Sequence, residues 1–258
     1  MKVNLADRKL DARADALGLA EADVAGIFAA SDALAAQYRL RSTLSDPAVS
    51  AEARDHVARS VFSERIPAKA VDIVAQAAVL ATRPGGLEAS VERQGIRATY
   101  QLSGDVEVVQ DDVFYFARIL EADSELQTTL TDPLIEVGAR QRLVAELLSD
   151  RVRPAAVELI QRAVARRGRT LVKTLDGYVE VAAQIADETV AHVVVAQPLT
   201  EAQHEALHAQ LMRIYGVGID IQIEVEPNVL GGVRIQIGDD LIDGTILTRL
   251  NEARHRIG

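Results

Sequence analysis

The chain has 258 residues, of which 48% are apolar and only 3% are aromatic, and its formal net charge is −10. This charge disfavours a protein whose main task is to bind the phosphate backbone of nucleic acids, and the absence of cysteine excludes disulfides and thiolate metal sites. The length suffices for one large domain or two ordinary domains, and the scarcity of aromatic residues favours closely packed helices with aliphatic contacts.

No secretion signal or membrane span is expected from the sequence. Charged residues interrupt the N-terminus from Lys2 to Asp11, so a signal peptide is not predicted. The longest helical apolar run, residues 66–82, contains Lys69 and Asp72 and is too short to cross a bilayer. We therefore expect any membrane association to depend on partner proteins.

The first part of the chain is predicted to be helical. Two amphipathic helices are expected within residues 5–41, and Pro47 then breaks the pattern because proline fixes its own φ and restricts the residue before it. The segment Pro84-Gly85-Gly86 forms a second break. Three further helices are predicted at residues 51–62, 68–82 and 87–102.

The sequence repeats itself at an offset of 86 residues. TLSDP at residues 43–47 returns as TLTDP at residues 129–133, and Phe28 aligns with Phe114 at the same offset. Chance similarity between alanine-rich helices could explain matches within helices. It does not explain an Asp-Pro pair, which belongs to a turn and yet recurs at the same offset. We interpret the pattern as an internal duplication of a helical unit.

Three domains are predicted from this organisation: a first helical copy at residues 1–104, a second copy at 105–187, and a C-terminal domain at 188–258. At the repeat offset, the helix at 87–102 is equivalent both to the first helix of the first copy and to the last helix of the second. The two copies are therefore predicted to share or abut this helix, and no Gly/Ser-rich linker separates them.

The spacing of apolar residues changes from helical to alternating near residue 188. A β-rich run at 189–197 is followed by Thr200 and Gln203, which predict a capping box at the start of a helix over 201–215. Alternating strands at 219–225 and 233–237, a short apolar segment and a final helix complete a β-α-β-β-α domain. The predicted class of the whole chain is α+β.

The C-terminal stretch also carries many residues in a recognisable order. They are Glu226, Pro227, Leu230, Gly231, Gly232, Gly238, Asp239, Ile242, Asp243, Gly244 and Leu250. In this pattern the chain resembles the δ subunit of F-type ATP synthases, the family of the mitochondrial OSCP. That family usually has Asp before Pro, so Glu226 is a small departure.

The resemblance implies a non-catalytic subunit of the proton-translocating F-type ATP synthase. Such a subunit belongs to the peripheral stalk, which links the catalytic head to the membrane sector and couples ATP synthesis to ion flow by holding the head against the rotor. The implied partners are the α subunits through their N-terminal segments, the β subunits and the b-type stalk subunits. The implied location is peripheral, on the cytoplasmic side of the cell membrane, without cofactor, metal, catalytic residue or nucleic acid.

The family's single N-terminal bundle fits residues 106–187 best, so the first copy is extra and resembles a longer variant of some bacteria. The second copy runs directly into the C-terminal domain in the family's order. We therefore predict that the second copy carries the main α-subunit contact, and that the first extends the stalk or contacts b-type helices. The acidic residues Glu121, Asp123 and Glu125 are compatible with basic partner helices.

An alternative of a different class is a zinc hydrolase. His204, Glu205 and His208 form an HExxH pattern on a predicted helix, in which two histidines could bind zinc and the glutamate could act as base. No downstream helix offers a third ligand at a recognised spacing, and Leu207 and Leu211 define a core face that the histidines only flank. We predict an exposed polar flank here and disfavour the hydrolase.

Three other motifs are interpreted as structural. Gly231-Gly232 is predicted to be a bend, because no lysine follows it and it precedes a strand rather than a helix. The aspartates at 239, 240 and 243 are explained by turns and helix capping. The basic run at 166–169 is predicted to be a solvated helix end with a glycine cap, with a partner contact as the alternative.

Overall fold

A computed structural model describes residues 5–166, 168–215, 220–226, 233–237 and 240–243. These residues form two compact units that divide between Ala183 and Gln184. The first unit is helical, and the second combines a helix with a β-sheet, so the predicted α+β class is confirmed. The predicted final helix, the Gly231-Gly232 pair and most of the C-terminal pattern lie outside the described residues.

The described residues up to Thr189 form eleven helices. They are α1 (Leu5–Leu17), α2 (Glu21–Ala36), α3 (Tyr38–Leu44), α4 (Ala51–Phe62), α5 (Ala68–Leu80), α6 (Pro84–Ser103), α7 (Val106–Ala122), α8 (Ser124–Thr131), α9 (Val137–Leu148), α10 (Pro154–Ala165) and α11 (Leu171–Thr189).

Helices α7 to α11 follow the order of α2 to α6 at the offset seen in the sequence. Both bounds of α9 lie 86 residues after those of α4. The turn before each of these helices is built in the same way: the Asp46 carboxylate accepts a hydrogen bond from the Ala48 backbone N–H at 2.9 Å, and Asp132 accepts one from Leu134 at 2.8 Å. The Asp-Pro pairs are therefore local Asx turns in both halves.

A long-range contact also recurs at the same offset. Arg54 on α4 donates to the carbonyl oxygen of Ala78 at 2.9 Å, and Arg140 on α9 donates to that of Val164 at 3.4 Å. These carbonyls lie at the C-terminal ends of α5 and α10, where helices leave acceptors without an intrahelical partner. Each arginine thus caps the next helix of its own half.

The largest differences from the predicted helices are in residues 5–41 and at the start of α6. Residues 5–41 hold parts of three helices rather than two, because the backbone leaves the helical region at Gln37 (φ −115°, ψ 88°), between α2 and α3. Asp123 makes the equivalent break between α7 and α8. Helix α6 begins at Pro84 rather than Leu87, since proline is tolerated at the first helical position, where its missing N–H has no intrahelical partner.

The second unit contains a four-stranded sheet and helix α12 (Glu201–Tyr215). The strands are β1 (Val190–Val195), β2 (Asp220–Val225), β3 (Val233–Ile237) and β4 (Asp240–Asp243), in the order β2-β1-β3-β4. Strands β1 and β2 are parallel, whereas the β1–β3 and β3–β4 pairs are antiparallel. Because parallel neighbours require a crossover, α12 lies between β1 and β2 in the chain.

The predicted capping and the alternation of β3 are confirmed, whereas Ile223 and Val225 of β2 are 37% and 44% exposed, so the alternation of that strand does not give the half-buried face expected. Val193 of β1, Ile235 of β3 and Leu211 of α12 are buried together in its apolar core. At the start of α12, the Gln203 side chain accepts from the Thr200 N–H at 2.9 Å, and the Thr200 hydroxyl accepts from the Gln203 N–H at 3.4 Å. The run predicted to be β-rich from Thr189 begins as a strand one residue later, because α11 extends through Thr189.

Candidate functional site

The HExxH residues lie on α12 as the sequence predicts. His204, Glu205 and His208 are exposed, Leu207 is half-buried and Leu211 is buried, so the histidines flank the core face. Within the described ranges, no cluster of three or more His, Asp or Glu side chains could hold a metal ion. The arrangement gives the zinc hydrolase no support.

The clearest concentration of buried polar residues is on α6. Every residue from Val91 to Tyr100 is buried, although a helix at a protein surface normally exposes one face. Five of these residues are polar or charged: Glu92, Arg93, Gln94, Arg97 and Thr99. Helix α6 is therefore surrounded by other helices, and its charged side chains need partners inside the helical unit.

One side of α6 faces aspartates of α1. Asp11 accepts from Arg93 at 2.5 Å and from the Gln94 amide at 2.5 Å. One turn further along, Asp15 forms a bidentate pair with Arg97 at 2.6 and 3.0 Å. This acidic row, spaced four residues apart on α1, fixes the register of α1 against α6.

Another side of α6 faces α10 and α11. The Glu92 carboxylate accepts hydrogen bonds from Nε and Nη2 of Arg162, at 3.0 and 2.6 Å. It also accepts one from the Tyr178 hydroxyl at 3.1 Å. Arg162 also donates to Asp32 of α2 at 2.7 Å. A further ion pair joins Arg166 to Glu88. Helix α6 is therefore bonded both to helices that precede it in the chain and to helices that follow it.

Electrostatics keeps the central carboxylate of this network charged. Burial alone would raise the pKa of Glu92, but the hydrogen bond and the charges of Arg162 and Arg166 outweigh burial, so its pKa is below the ordinary value. Burial, and next the charge of Glu92, raise the pKa of the Tyr178 hydroxyl well above its ordinary value. Tyr178 thus remains a neutral donor to an ionised Glu92.

A glycine allows α2 to approach α6 closely. A Cβ atom at Gly95 would lie 2.6 Å from Cδ1 of Phe28 and closer still to its Cε1, distances that side-chain packing does not permit. On the same ring, the Arg162 guanidinium carbon is 4.7 Å from the ring centroid, a cation–π contact. Phe28 therefore packs against both α6 and α10.

The basic run at 166–169 differs in part from its prediction. Gly168 has a positive φ of 96°, as expected for a glycine after a helix end. Arg166, however, is mostly buried and contacts Glu88 and Glu92, because α6 supplies two carboxylates beside the end of α10. The solvated-end interpretation is therefore wrong for Arg166.

Two of the three acidic residues judged compatible with basic partner helices, Glu121 and Asp123, have contacts within the chain. Asp123 caps α8 by accepting from the Glu125 and Leu126 N–H groups at 3.1 and 3.0 Å. Glu121 is exposed and pairs with Arg118 at 2.7 Å. Neither contact prevents these residues from also facing a partner.

The network around α6 is suited to holding helices in place. Its carboxylates and guanidiniums are paired in short contacts, and Glu92 and Arg162 are mostly buried. Breaking such a buried pair by removing one member is costly, so the network resists separation of the helices it joins. In the part of the chain that the structure describes, no helix is long and apolar enough to cross a membrane.

Comparisons with known proteins agree on one family. The family model described as "ATP synthase delta (OSCP) subunit" matches residues 97–257. The ATP synthase subunit delta of Kineococcus radiotolerans is 37% identical over 98% of this chain and 94% of its own length. The subunit delta of Cutibacterium acnes is 34% identical over 98% of both chains, and that of a Nocardioides species is 36% identical over 90% of this chain and 85% of its own.

The matches to the Kineococcus and Cutibacterium subunits cover 98% of the chain, so the similarity extends well into residues 1–96, which the family model does not match. The chain therefore belongs to the ATP synthase delta (OSCP) subunit family, and it is a non-catalytic subunit of the peripheral stalk of an F-type ATP synthase.

Proposed function

We propose that the helical unit binds the catalytic head through N-terminal segments of the α subunits, with β subunits nearby. The C-terminal unit, in this proposal, binds the b-type stalk helices. The family membership and the resemblance of the C-terminal stretch support these partners. A peripheral position on the cytoplasmic side of the cell membrane follows from the same proposal.

The observation that carries the proposal is the buried network of α6. A stator must transmit force between its partners without yielding, and buried charge pairs that fix helix register meet that need better than a sliding apolar contact. Arg162 contacts α2 and α6 at once, through Asp32 and Glu92. The helical unit would therefore move as one body under load.

We further propose that residues 1–104 and 105–187 are two copies of one bundle that share α6, and that residues 188–258 form the stalk-binding domain. The repeated Asx turns and the repeated arginine caps support the duplication. The contacts of α6 with α1 and with α10 support the sharing. The second copy is proposed to carry the main contact with the head.

Binding of truncated chains to the isolated catalytic head tests the proposed function. Deleting residues 1–86 keeps α6 from Leu87 onward and removes Asp11 and Asp15, which pair with Arg93 and Arg97, and we expect head binding to survive. Deleting residues 1–104 removes α6 and leaves the partners of Glu92 without a carboxylate, so we expect lost solubility and weak or absent binding. Co-sedimentation with the head, compared with the complete chain, measures both results.

Two results would contradict the proposal. If the complete chain does not bind the head, the assignment of that partner is wrong. If both truncated chains are equally soluble and bind the head equally well, the copies are independent and α6 is not shared.

A further inference from the structure

Helix α7 exposes a row of large apolar side chains. Val108, Tyr115 and Ile119 are 43%, 62% and 52% exposed. Their spacings of seven and four residues place them on one side of the helix. We call these three residues the α7 stripe.

The first copy provides an internal comparison for this stripe. The positions of α2 that are equivalent at the repeat offset are Ala22, Ala29 and Ala33. Buried positions instead stay apolar in both helices, for example Leu34 and Leu120, which are both fully buried. The second copy therefore differs from the first by carrying large apolar side chains where the first has only alanine.

One side chain of the stripe, Tyr115, contacts a neighbouring aromatic ring. The rings of Phe114 and Tyr115 meet edge to face, with centroids 5.8 Å apart. Arg118 lies over the Phe114 ring at 5.2 Å and also contacts Asp176 of α11. An aromatic side chain held by its neighbours loses little conformational entropy on binding, which favours a role as an interface anchor.

The charges around the stripe indicate what kind of partner fits. Asp111 is exposed and lies between Val108 and Tyr115 along the helix, and Asp112 borders the stripe with one oxygen bound to the Arg153 N–H at 2.9 Å. In α2 the equivalent positions are Ala25 and Gly26. The second copy thus carries two acidic residues together with the apolar ones, and this combination complements an amphipathic helix with basic edges.

We propose that the α7 stripe binds an amphipathic helix of another ATP synthase subunit, whose apolar face covers Val108, Tyr115 and Ile119 and whose basic residues face Asp111 and Asp112. This inference rests on the proposed function, since it names one surface through which the helical unit holds a partner. The occupant is a protein helix of basic and apolar character.

A photo-crosslinking residue at position 115 of the complete chain, in the assembled ATP synthase, tests which segment covers the stripe. We expect a crosslink to a basic, amphipathic helical peptide of another subunit. A crosslink to residues 184–258 of the same chain, or no crosslink in the assembled enzyme, would overturn the inference.

The affinity of the complete chain for ATP synthase stripped of this subunit gives an independent readout. The double variant Tyr115→Ala/Ile119→Ala installs the residues of the first copy, and we expect binding to weaken about tenfold or more, as when interface anchors are truncated. Asp111→Lys should weaken binding further and reduce its dependence on salt. Because these side chains are exposed, the melting temperature of the free chain should not change.

Tyr38→Ala is the matched control, since Tyr38 is 65% exposed in the first copy, away from the stripe in sequence. Its affinity should equal that of the wild type. If the wild type binds stripped enzyme and the double variant binds equally tightly, the stripe is not an interface, although the proposed function stands. If the wild type does not bind, the proposed function fails, and this inference fails with it.

Discussion

Replacing Glu92 by Ala is expected to lower the free energy of unfolding of the helical unit by about 3–5 kcal/mol, the range for a broken buried ion pair. Glu92 accepts hydrogen bonds from Arg162 and Tyr178, and Arg166 lies 3.5 Å away. Its removal leaves buried donors and a positive charge without their carboxylate. Urea denaturation followed by far-UV circular dichroism measures the loss.

Glu121→Ala is the control for this change. Glu121 pairs with Arg118 on the surface, where both side chains are well exposed, so its removal should cost less than about 1 kcal/mol. If Glu92→Ala is no more destabilising than Glu121→Ala, the network around α6 does not hold the unit together.

The same carboxylate makes stability depend on pH in a definite direction. The pKa of folded Glu92 lies below its ordinary value of 4.5, so the unfolded chain binds its proton more readily than the folded chain does. The contribution of Glu92 to the free energy of unfolding is therefore complete above the pKa of the unfolded chain. It is lost as the pH falls through the pKa of Glu92 in the folded chain. Below pH 4.5 the wild type should lose stability more steeply than Glu92→Gln, which carries no titrating group at this position.

Gly95→Val is expected to destabilise the helical unit by about 2 kcal/mol, within the range for overpacking a core. The new side chain would meet the ring of Phe28, which is itself held between α6 and Arg162. Valine has a higher helix propensity than glycine, but this gain of about 0.4 kcal/mol is smaller than the cost of the clash. Thermal or chemical denaturation of the complete chain measures the difference.

A second glycine of the same helix offers a control. Gly85 is exposed, and a Cβ atom added there would have no neighbouring atom within 4 Å, so Gly85→Val should change stability by less than about 0.5 kcal/mol. Combining Gly95→Val with Phe28→Ala should recover part of the loss, because the pair is in direct contact. Additive effects of the two substitutions would show that the clash lies elsewhere.

Local sequence signals were sufficient for most helices and strands. The bounds of α4 and α12 were predicted from helical spacing, and the capping box of Thr200 and Gln203 marked the start of α12. The alternation of β3 predicted that Ile235 is buried and Arg234 exposed. The repeat predicted equivalent turns at Asp46 and Asp132, because an Asx turn needs only residues close in sequence.

The buried network could not be predicted in the same way. Glu92, Arg93 and Arg97 have the composition of a solvent-facing helix surface, and their partners lie 70 to 82 residues away in the chain. The one local sign is on α1, where aspartates recur every four residues at 7, 11 and 15. Such a row of carboxylates indicates that α1 faces a helix with cationic side chains, but it does not identify that helix as α6. The approach of Phe28 to Gly95 likewise depends on how α2 crosses α6, which no local pattern specifies.

Restoration of ATP synthesis tests most directly whether the chain works by holding partners together. ATP synthase in membrane vesicles is stripped of its delta subunit, the purified chain is added back, and ATP synthesis driven by an ion gradient is measured. We predict that synthesis returns with the wild-type chain and that the isolated chain hydrolyses no ATP. Two results would contradict a structural role in the peripheral stalk. One is a rate of ATP synthesis that stays as low after the chain is added as in vesicles without the delta subunit, and the other is ATP hydrolysis by the isolated chain.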